Sequence, residues 1–244
     1  VGPEEYPKIV QRMGGQVNAG TSKDFTFYYA DVPKEGMEKV LELEADRMAN
    51  LIITEENLSP EREVVKEERR LRVENEVDGL LIETLYREAF QNHPYRIDTT
   101  GTMEALDQIG PEELKAYYGR FYSPNNALVV ISGDIEARRA KELVERHFGS
   151  LKASDLSSVP ASALHEPPQD SMRQEEVVRS DVQYRATVGG FKVPAFQHED
   201  SPALVVLEKI LGSSQLKTSR LYQDLVVRRS VATEVQAIDS RGRY

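Results

Sequence analysis

The sequence Glu61-Arg-Glu-Val-Val-Lys-Glu-Glu-Arg-Arg-Leu-Arg-Val73 decides how this chain is interpreted. A helix turns by about 100° per residue, so positions 61, 64, 65, 68 and 71 share one face. That face reads Glu, Val, Val, Glu, Leu, whereas the charged residues Arg62, Glu63, Lys66, Glu67, Arg69 and Arg70 lie on the other faces and need only water. We therefore expect Glu61 and Glu68 on the packed side of a helix, where a carboxylate needs a charged partner or a metal ion.

The pattern alone leaves two explanations open for each acid. Glu61 stands in the first turn of the predicted helix, where an acidic side chain complements the helix dipole. Glu68 lies in the middle of the helix and can form an ion pair with a nearby arginine. A carboxylate on a rigid helix can also be one ligand of a zinc ion, which accepts His, Glu and Asp donors.

Composition excludes several classes of protein. The 244 residues suffice for one large domain or two ordinary ones, and the net charge of −10 argues against a nucleic-acid surface. The absence of cysteine excludes disulfides, thiolate zinc sites and thiol catalysis. No run of 18 or more apolar residues is present, so we expect no membrane span.

Periodicity and turn residues divide the chain into two parts and a linker. The first part covers residues 1–152, a Ser- and Pro-rich linker covers 153–173, and the second part covers 174–244. Helices are predicted at 3–13, 37–51, 60–76, 80–90, 111–121, 135–147, 201–211 and 216–228, with Ser59-Pro60 as the start of the third. Strands are predicted at 16–19, 24–32, 127–132, 175–178, 184–191 and 231–238, that at 127–132 being buried.

The four histidines do not form a zinc-binding motif. His93, His147, His165 and His198 lie in no H-x-x-E-H or H-E-x-x-H arrangement, so this chain by itself cannot assemble a three-residue zinc site. We expect His93 to hydrogen-bond locally in a loop and His147 to end a helix. No phosphate-binding glycine pattern is present either.

Several blocks in order resemble the M16 zinc peptidases, the family of pitrilysin, insulin-degrading enzyme and mitochondrial processing peptidase. The first is Gly14-Gly-Gln-Val-Asn-Ala-Gly-Thr-Ser-Lys-Asp-Phe-Thr-Phe-Tyr28, which is similar to GG-x-x-NA-x-T-x-x-x-T-x-Y. The further blocks are Leu43-Glu-Ala-Asp-Arg-Met48, Glu61-Arg-x-Val-Val-x-x-Glu68, His93-Pro-Tyr95, Ser123-Pro-Asn-Asn-Ala127, Gly133-Asp134 and Ser219-Arg-Leu221. The resemblance implies an α+β, LuxS/MPP-like metallohydrolase fold, an antiparallel-rich sheet packed with helices, in two related domains of which the second is incomplete.

The resemblance also implies functional roles by position. Glu68 matches the glutamate that completes the family's zinc site, and Glu61 matches a second, catalytic acid close to it. Asn18, Ala19, Gly20 and Thr21 match the edge strand that pairs with the backbone of a peptide or unfolded protein substrate. The implied reaction is peptide-bond hydrolysis by metal-activated water, with zinc as the cofactor.

Two departures from the family pattern matter. The H-x-x-E-H motif, expected about ten residues before Val1 from the family's spacing, is absent, so we expect an internal piece of a longer protein that is inactive alone. Val226 and Thr233 stand where non-catalytic halves carry an Arg and a Tyr. The chain therefore resembles a zinc-bearing half that needs this pair from a second half or subunit.

The alternative interpretation is a non-catalytic structural or partner subunit of the same fold, and an unrelated α/β binding module is the remaining one. An H-x-x-E-H upstream of Val1 would favour the enzyme. The sequence does not fix the compartment, although a soluble location in the bacterial periplasm or cytoplasm is favoured over the mitochondrion.

Overall fold

The computed structural model describes residues 5–156, 164–212 and 216–243. Within these ranges the fold is α+β, rich in helix, with one antiparallel sheet of two strands. The elements are α1 Glu5–Arg12, β1 Gln16–Thr21, β2 Thr26–Asp31, α2 Met37–Asn50, α3 Glu55–Arg69, α4 Val77–Ala89, α5 Met103–Gln108, α6 Pro111–Phe121, α7 Ala137–Phe148 and α8 Ser201–Gly212. π-helical segments span Arg70–Glu74 and Tyr222–Arg228.

The chain divides into two compact units, Val1–Val188 and Gly189–Tyr244. The division predicted from composition, at residues 152 and 174, stays a prediction. Part of the predicted linker, residues 157–163, lies outside the described residues, as do residues 1–4 of the first predicted helix. No described helix has the length and apolar composition needed to cross a bilayer.

The strands predicted at 16–19 and 24–32 are present at Gln16–Thr21 and Thr26–Asp31, and the two pair as an antiparallel hairpin. Strands β1 and β2 pair with Gln16 opposite Asp31 and Thr21 opposite Thr26. Ser22 closes the turn, because its N–H donates to the Phe25 carbonyl at 2.9 Å and its Oγ accepts from the Phe25 N–H at 3.2 Å. Helix α2 follows, with Leu41, Leu43 and Ala45 in the core.

Helix α3 begins earlier than the predicted Ser59-Pro60 start. It begins at Glu55, where Thr54 is the N-cap and accepts from the Asn57 N–H at 3.3 Å. Pro60 therefore lies inside the helix rather than at its first position. The Thr54 cap is of the same chemical type as the predicted Ser59 cap, so residue preference alone does not distinguish between the two.

The face of α3 that packs against the protein is not the predicted one. Val64 and Leu71 are 61% and 56% exposed, whereas the side chains of Arg62, Lys66 and Arg69 are only 16%, 13% and 9% exposed. These three cations reach specific acceptors, the Ile109 carbonyl, Asp107 and Glu83 respectively. The expectation that they need only water was wrong, because long cationic side chains can bury their stems while their charged ends reach acceptors on neighbouring elements.

Arg69 is the central contact of this region. Its Nη2 donates to both Glu83 oxygens, at 2.9 and 3.2 Å, and its Nη1 donates to the Gly101 carbonyl at 2.5 Å. Helix α4 carries Glu83 and approaches the π-helical segment closely at Gly79, where a Cβ atom would lie 1.9 Å from the Arg72 carbonyl oxygen. The bidentate pair and the glycine contact together hold α3 and α4 in one register.

The other predicted strands do not form in the described residues. The run 127–132 has no strand partner there, and Leu128 and Val130 are 89% and 79% exposed. Residues 175–178, 184–191 and 231–238 are likewise not strands. A continuous apolar run indicates burial only if a neighbouring strand supplies the hydrogen-bonding partner, and none does here.

The second unit contains α8 and the π-helical segment Tyr222–Arg228, where a longer helix was predicted. The Ala237 N–H donates to the Gly212 carbonyl, the last residue of α8, at 2.6 Å. Arg241 pairs with Asp239 at 2.6 Å, and its guanidinium lies 5.5 Å from the Phe196 ring centroid. These contacts hold the end of the described chain within the unit.

Replacing Arg69 by alanine should lower the free energy of unfolding by about 3 kcal/mol, because Glu83 would be left as a poorly solvated charge. The matched control is Arg70→Ala, since Arg70 is exposed and pairs only with Glu67 on the helix surface, a contact of about 0.5 kcal/mol. Urea denaturation of this chain measures both. Equal effects of the two substitutions would show that the Arg69 contacts do not determine the packing.

Candidate functional site

Glu61 and Glu68 lie on the outward face of α3. Glu61 is exposed and makes no hydrogen bond or ion pair with the described part of the chain. Glu68 is partly exposed, and its Oε1 lies 2.6 Å from Nη1 of Arg72. This contact is the ion pair with a nearby arginine that the sequence left open as one explanation for Glu68. Neither acid is buried, so burial provides no reason for a metal partner.

Glu61 and Glu68 share a face of α3 but lie too far apart to bind the same metal ion. Seven residues at 1.5 Å rise separate their Cα atoms by roughly 10 Å along the axis, whereas zinc–oxygen bonds are about 2 Å. One carboxylate of this pair can therefore ligate a zinc ion while the other acts beside it. The resemblance assigns the first role to Glu68 and the second to Glu61, and both assignments stay predictions.

The described residues do not complete a zinc site. They contain no group of three or more His, Cys, Asp or Glu side chains that could hold a metal ion. Glu68, the residue of α3 to which the resemblance assigns the ligand role, is paired with Arg72 in the structure. The donors among the described residues thus do not fit zinc by themselves.

The described histidines have structural positions. The Nδ1 atom of His93 accepts from the Tyr95 N–H at 3.2 Å, which is the local hydrogen bond that the loop position predicted. Burial lowers the pKa of His93. His147 lies in the last turn of α7, 3.8 Å from Glu38. Neither position is near a set of metal donors in the described residues.

Strand β1, which carries Asn18, Ala19, Gly20 and Thr21, has an open edge. It pairs only with β2 in the described residues, so its other side presents unpaired backbone groups. The Ala19 N–H donates to Oδ1 of Asn18 at 2.8 Å. An added strand on this edge would have its register set by backbone hydrogen bonds and its specificity set by alternate side chains.

Three aromatic side chains form a row on one face of the hairpin. The sequence patterns did not indicate this row as a functional feature. Phe25, Phe27 and Tyr29 alternate along the strand, and successive ring centroids are 6.2 and 6.3 Å apart. Phe27 is opposite Gly20, and a Cβ atom on Gly20 would lie 2.6 Å from its ring. The ring thus covers the glycine and reaches toward the open edge. The alternation of aromatic residues in the predicted strand was the available signal.

The opposite face of the hairpin is anchored by tyrosines. The Tyr28 hydroxyl lies 3.0 Å from that of Tyr122, and the Arg47 guanidinium lies 3.9 Å from the Tyr28 ring centroid. Tyr118 donates to the Arg47 carbonyl at 2.9 Å. Burial raises the pKa of Tyr118 to about 12, and it also raises that of Tyr28. These neutral, partly buried phenols fix β2 against α2 and α6, so the aromatic row faces away from the helices.

The stretch expected to carry an Arg and a Tyr in non-catalytic halves lies in the second unit. Val226 is partly buried within the π-helical segment, and Thr233 is exposed after it. Neither side chain can make the charged or phenolic contacts of that pair.

Two family profiles match the chain in succession. Residues 2–103 match the family described as Insulinase (Peptidase family M16), and residues 108–243 match the one described as Peptidase M16 inactive domain. Among curated proteins, the chain is 36% identical over 230 residues to Zinc protease PqqE of Helicobacter pylori, covering 94% of this chain and 51% of that protein. It is 31% identical to Uncharacterized zinc protease YmxG of Bacillus subtilis, covering 97% and 55%.

Solved structures agree with the profiles. A protease from Helicobacter pylori superimposes with a TM-score of 0.88 at 34% identity, covering 98% of this chain and 57% of that one. A peptidase M16 inactive domain from Pseudomonas fluorescens superimposes with a TM-score of 0.69 at 16% identity, covering 96% and 55%, and shows likeness of fold. The fold and the order of motifs define an M16-type peptidase fold. The chain belongs to the M16 peptidase family and spans about half the length of the curated relatives it matches.

Glu68→Gln should change the free energy of unfolding of this chain by less than about 0.5 kcal/mol, because its ion pair with Arg72 is a solvent-exposed i, i+4 contact. Urea denaturation with circular dichroism measures the change. A loss comparable to that of Arg69→Ala would mean that Glu68 has a structural role that the observed contacts do not explain.

Proposed function

We propose that this chain is the catalytic half of a zinc-dependent endopeptidase of the M16 family. The observation that supports the proposal is the outward row on α3, where Glu61 and Glu68 lie seven residues apart on a helix held from behind by Arg69. The names of the relatives as zinc proteases support the reaction class. A bacterial compartment, periplasm or cytoplasm, agrees with those relatives.

In this proposal the side chains of α3 have separate roles. Glu68 offers one carboxylate to zinc after releasing Arg72, and the metal, when bound, supplies an activated water for hydrolysis. Glu61 lies two turns away and orients or tunes a neighbouring donor. One carboxylate does not hold zinc, so the two remaining donors belong to the rest of the complete protein.

The substrate in this proposal is an extended peptide or an unfolded protein segment. It adds to the free edge of β1 along Asn18–Thr21, where backbone hydrogen bonds bind it without regard to sequence. The Asn18 side chain, which accepts from the Ala19 N–H in the free chain, gives way to the peptide. A second M16 half or subunit supplies the Arg and Tyr that Val226 and Thr233 replace here.

A second candidate function is that of a non-catalytic partner subunit. The observation that favours it is the match of residues 108–243 to the profile described as an inactive domain. The two candidates differ in one measurable property. The protein expressed from the intact gene binds stoichiometric zinc and cleaves unfolded protein if it is the enzyme, and does neither if it is the partner subunit.

In the protein expressed from the intact gene, Glu68→Gln should remove most of the bound zinc and lower peptidase activity by more than about 100-fold. Mutation of a residue that hydrogen-bonds to a metal ligand lowers metal affinity or activity by roughly 10- to 100-fold, and loss of the ligand itself should cost more. Elemental analysis and cleavage of an unfolded protein measure the two effects.

Two further variants sharpen this test. Glu61→Gln should keep the zinc and reduce activity by roughly 10- to 100-fold, as expected for a residue beside the metal. The matched control is Glu67→Gln, because Glu67 pairs with Arg70 on another face of the helix. Full zinc content in Glu68→Gln would overturn the ligand assignment, and loss of zinc in Glu67→Gln would show that the helix has been disturbed.

The aromatic row predicts substrate preference. A peptide side chain beside Gly20 meets the Phe27 ring, so Phe27→Ala should lower kcat/KM roughly 10-fold for peptides with a large apolar residue there. Peptides with a small residue at that position should be affected little. Phe25→Ala is the control, because Phe25 precedes the paired part of the strand. Equal losses for both peptide types would argue against this contact.

A further inference from the structure

The turn of the hairpin is fixed to a distant loop by two adjacent side chains. The Nζ atom of Lys23 donates to the Tyr95 carbonyl at 3.0 Å and to the Ile97 carbonyl at 2.5 Å. The Tyr95 hydroxyl donates to Oδ1 of Asp24 at 2.5 Å. The partners are 71 to 74 positions apart in the sequence, so these contacts are tertiary and not part of the hairpin itself.

Lys23 lies in surroundings that suit a cation. Besides its two carbonyl acceptors, its Nζ atom is 4.6 Å from the centroid of the Tyr86 ring on α4. Burial lowers the pKa of Lys23, and the charges of Asp98 and Glu83 oppose that shift. The lysine ammonium is a strongly hydrated point charge, so a position away from water has to supply acceptors for it. Carbonyl oxygens, an aromatic face and nearby carboxylates do so here, which makes Lys23 a specific link between the turn and the loop.

The loop that receives these contacts is packed independently of the hairpin. Tyr95 is buried, and its ring centroid is 4.2 Å from that of His93 and 5.6 Å from that of Phe90. The Tyr95 N–H donates to Nδ1 of His93 at 3.2 Å. The N–H groups of residues 91–93 all donate to the carboxylate of Glu166. A packed ring and satisfied amides make the loop a firm support for the turn.

The strand edge at residues 18–21 lies between two fixed points. At one end, Ala19 is opposite Tyr28, whose hydroxyl lies 3.0 Å from that of Tyr122. At the other end, Thr21 is the last residue of β1 and is followed directly by the turn. A hairpin of two strands is at best marginally stable in water by itself, so an edge without the second fixed point would fray from the turn.

We propose that the contacts of the turn with the loop position the open edge of β1 for an added peptide strand. We call them the turn clamp, which consists of Lys23 and Asp24 on the turn and the groups of Tyr95 and Ile97 that they contact. The clamp holds residues 18–21 extended before a peptide arrives, so binding does not include the entropy loss of ordering them. Lys23 and Tyr95 are positioning residues, since neither lies on the edge that pairs with the peptide. The inference rests on the proposed substrate site along β1 but not on zinc or on the hydrolytic step.

The double variant Lys23→Met/Tyr95→Phe removes the clamp while keeping the apolar stem and the buried ring. In the protein expressed from the intact gene, it should raise KM for β-casein, an unfolded protein, at least about 10-fold and change kcat by less than about 2-fold. Loss of folded protein would act differently, because a smaller active fraction lowers kcat and leaves KM unchanged. Each single variant keeps one of the two contacts, so each should raise KM by less than about 3-fold.

The matched control is Lys115→Met/Tyr117→Phe, which makes the same two substitutions at exposed positions of α6 and should leave KM unchanged. An unchanged KM in Lys23→Met/Tyr95→Phe, or an equal rise in the control, would overturn the clamp as a positioning device. A wild-type protein that does not cleave β-casein would instead contradict the proposed function.

Hydrogen exchange in this chain tests the clamp separately from the peptidase reaction, because it needs neither zinc nor substrate. In Lys23→Met/Tyr95→Phe, the amides that pair β1 with β2 near Gly20 and Phe27 should exchange at least about 10-fold faster than in the wild type. Amides at the other end of the hairpin should change little, because they are far from the turn. Equal rates at the turn end in variant and wild type would overturn the inference whether or not the protein is a peptidase.

Discussion

The bidentate contact between Arg69 and Glu83 is the constraint on which the candidate site depends. It joins α3 to α4 at a point where both side chains are mostly out of water, and an unpaired charge there is costly. The contact thereby fixes the rotation of α3 about its own axis. Because Arg62 and Lys66 precede Arg69 by about two turns and one turn, they bind acceptors on the same side, and the helix has no freedom to roll.

That rotation has a direct consequence for the acids. With the arginines turned inward, the row through Glu61, Val64, Glu68 and Leu71 faces outward, where ionised carboxylates stay hydrated. Glu68 is then available at little energetic cost, because an exposed pair with Arg72 is weak.

The sequence predicted β1, β2, α2, α6 and α8 well, because their signals are local. Aromatic and β-branched residues in a short run and amphipathic periodicity need no distant partner. The sequence predicted the wrong packed face for α3. A simple polarity pattern assigns Val64, Val65 and Leu71 to the core, whereas Arg62, Lys66 and Arg69 are the residues that pack. The buried strand at 127–132 also failed, because strand formation depends on a partner that no local pattern reveals. Periodicity singled out Glu61 and Glu68, and the order of motifs assigned their roles and added Asn18–Thr21. The aromatic row around Phe27 was visible as alternation, but no function was predicted for it.

The apolar residues that were predicted to be buried but are exposed have one property in common. Val64, Leu71, Leu128 and Val130 belong to patterns that mark a protein core, yet all are largely exposed in the described residues. Burial of one such side chain is worth about 1.5–3 kcal/mol, so several of them left in water on one unit are a substantial unrealised stabilisation. This chain spans about half the length of the curated relatives it matches. Contact with a further surface would bury the same row on α3 that carries Glu61 and Glu68. Burial of Val64 and Leu71 in such a contact would contribute about 1.5–3 kcal/mol for each side chain.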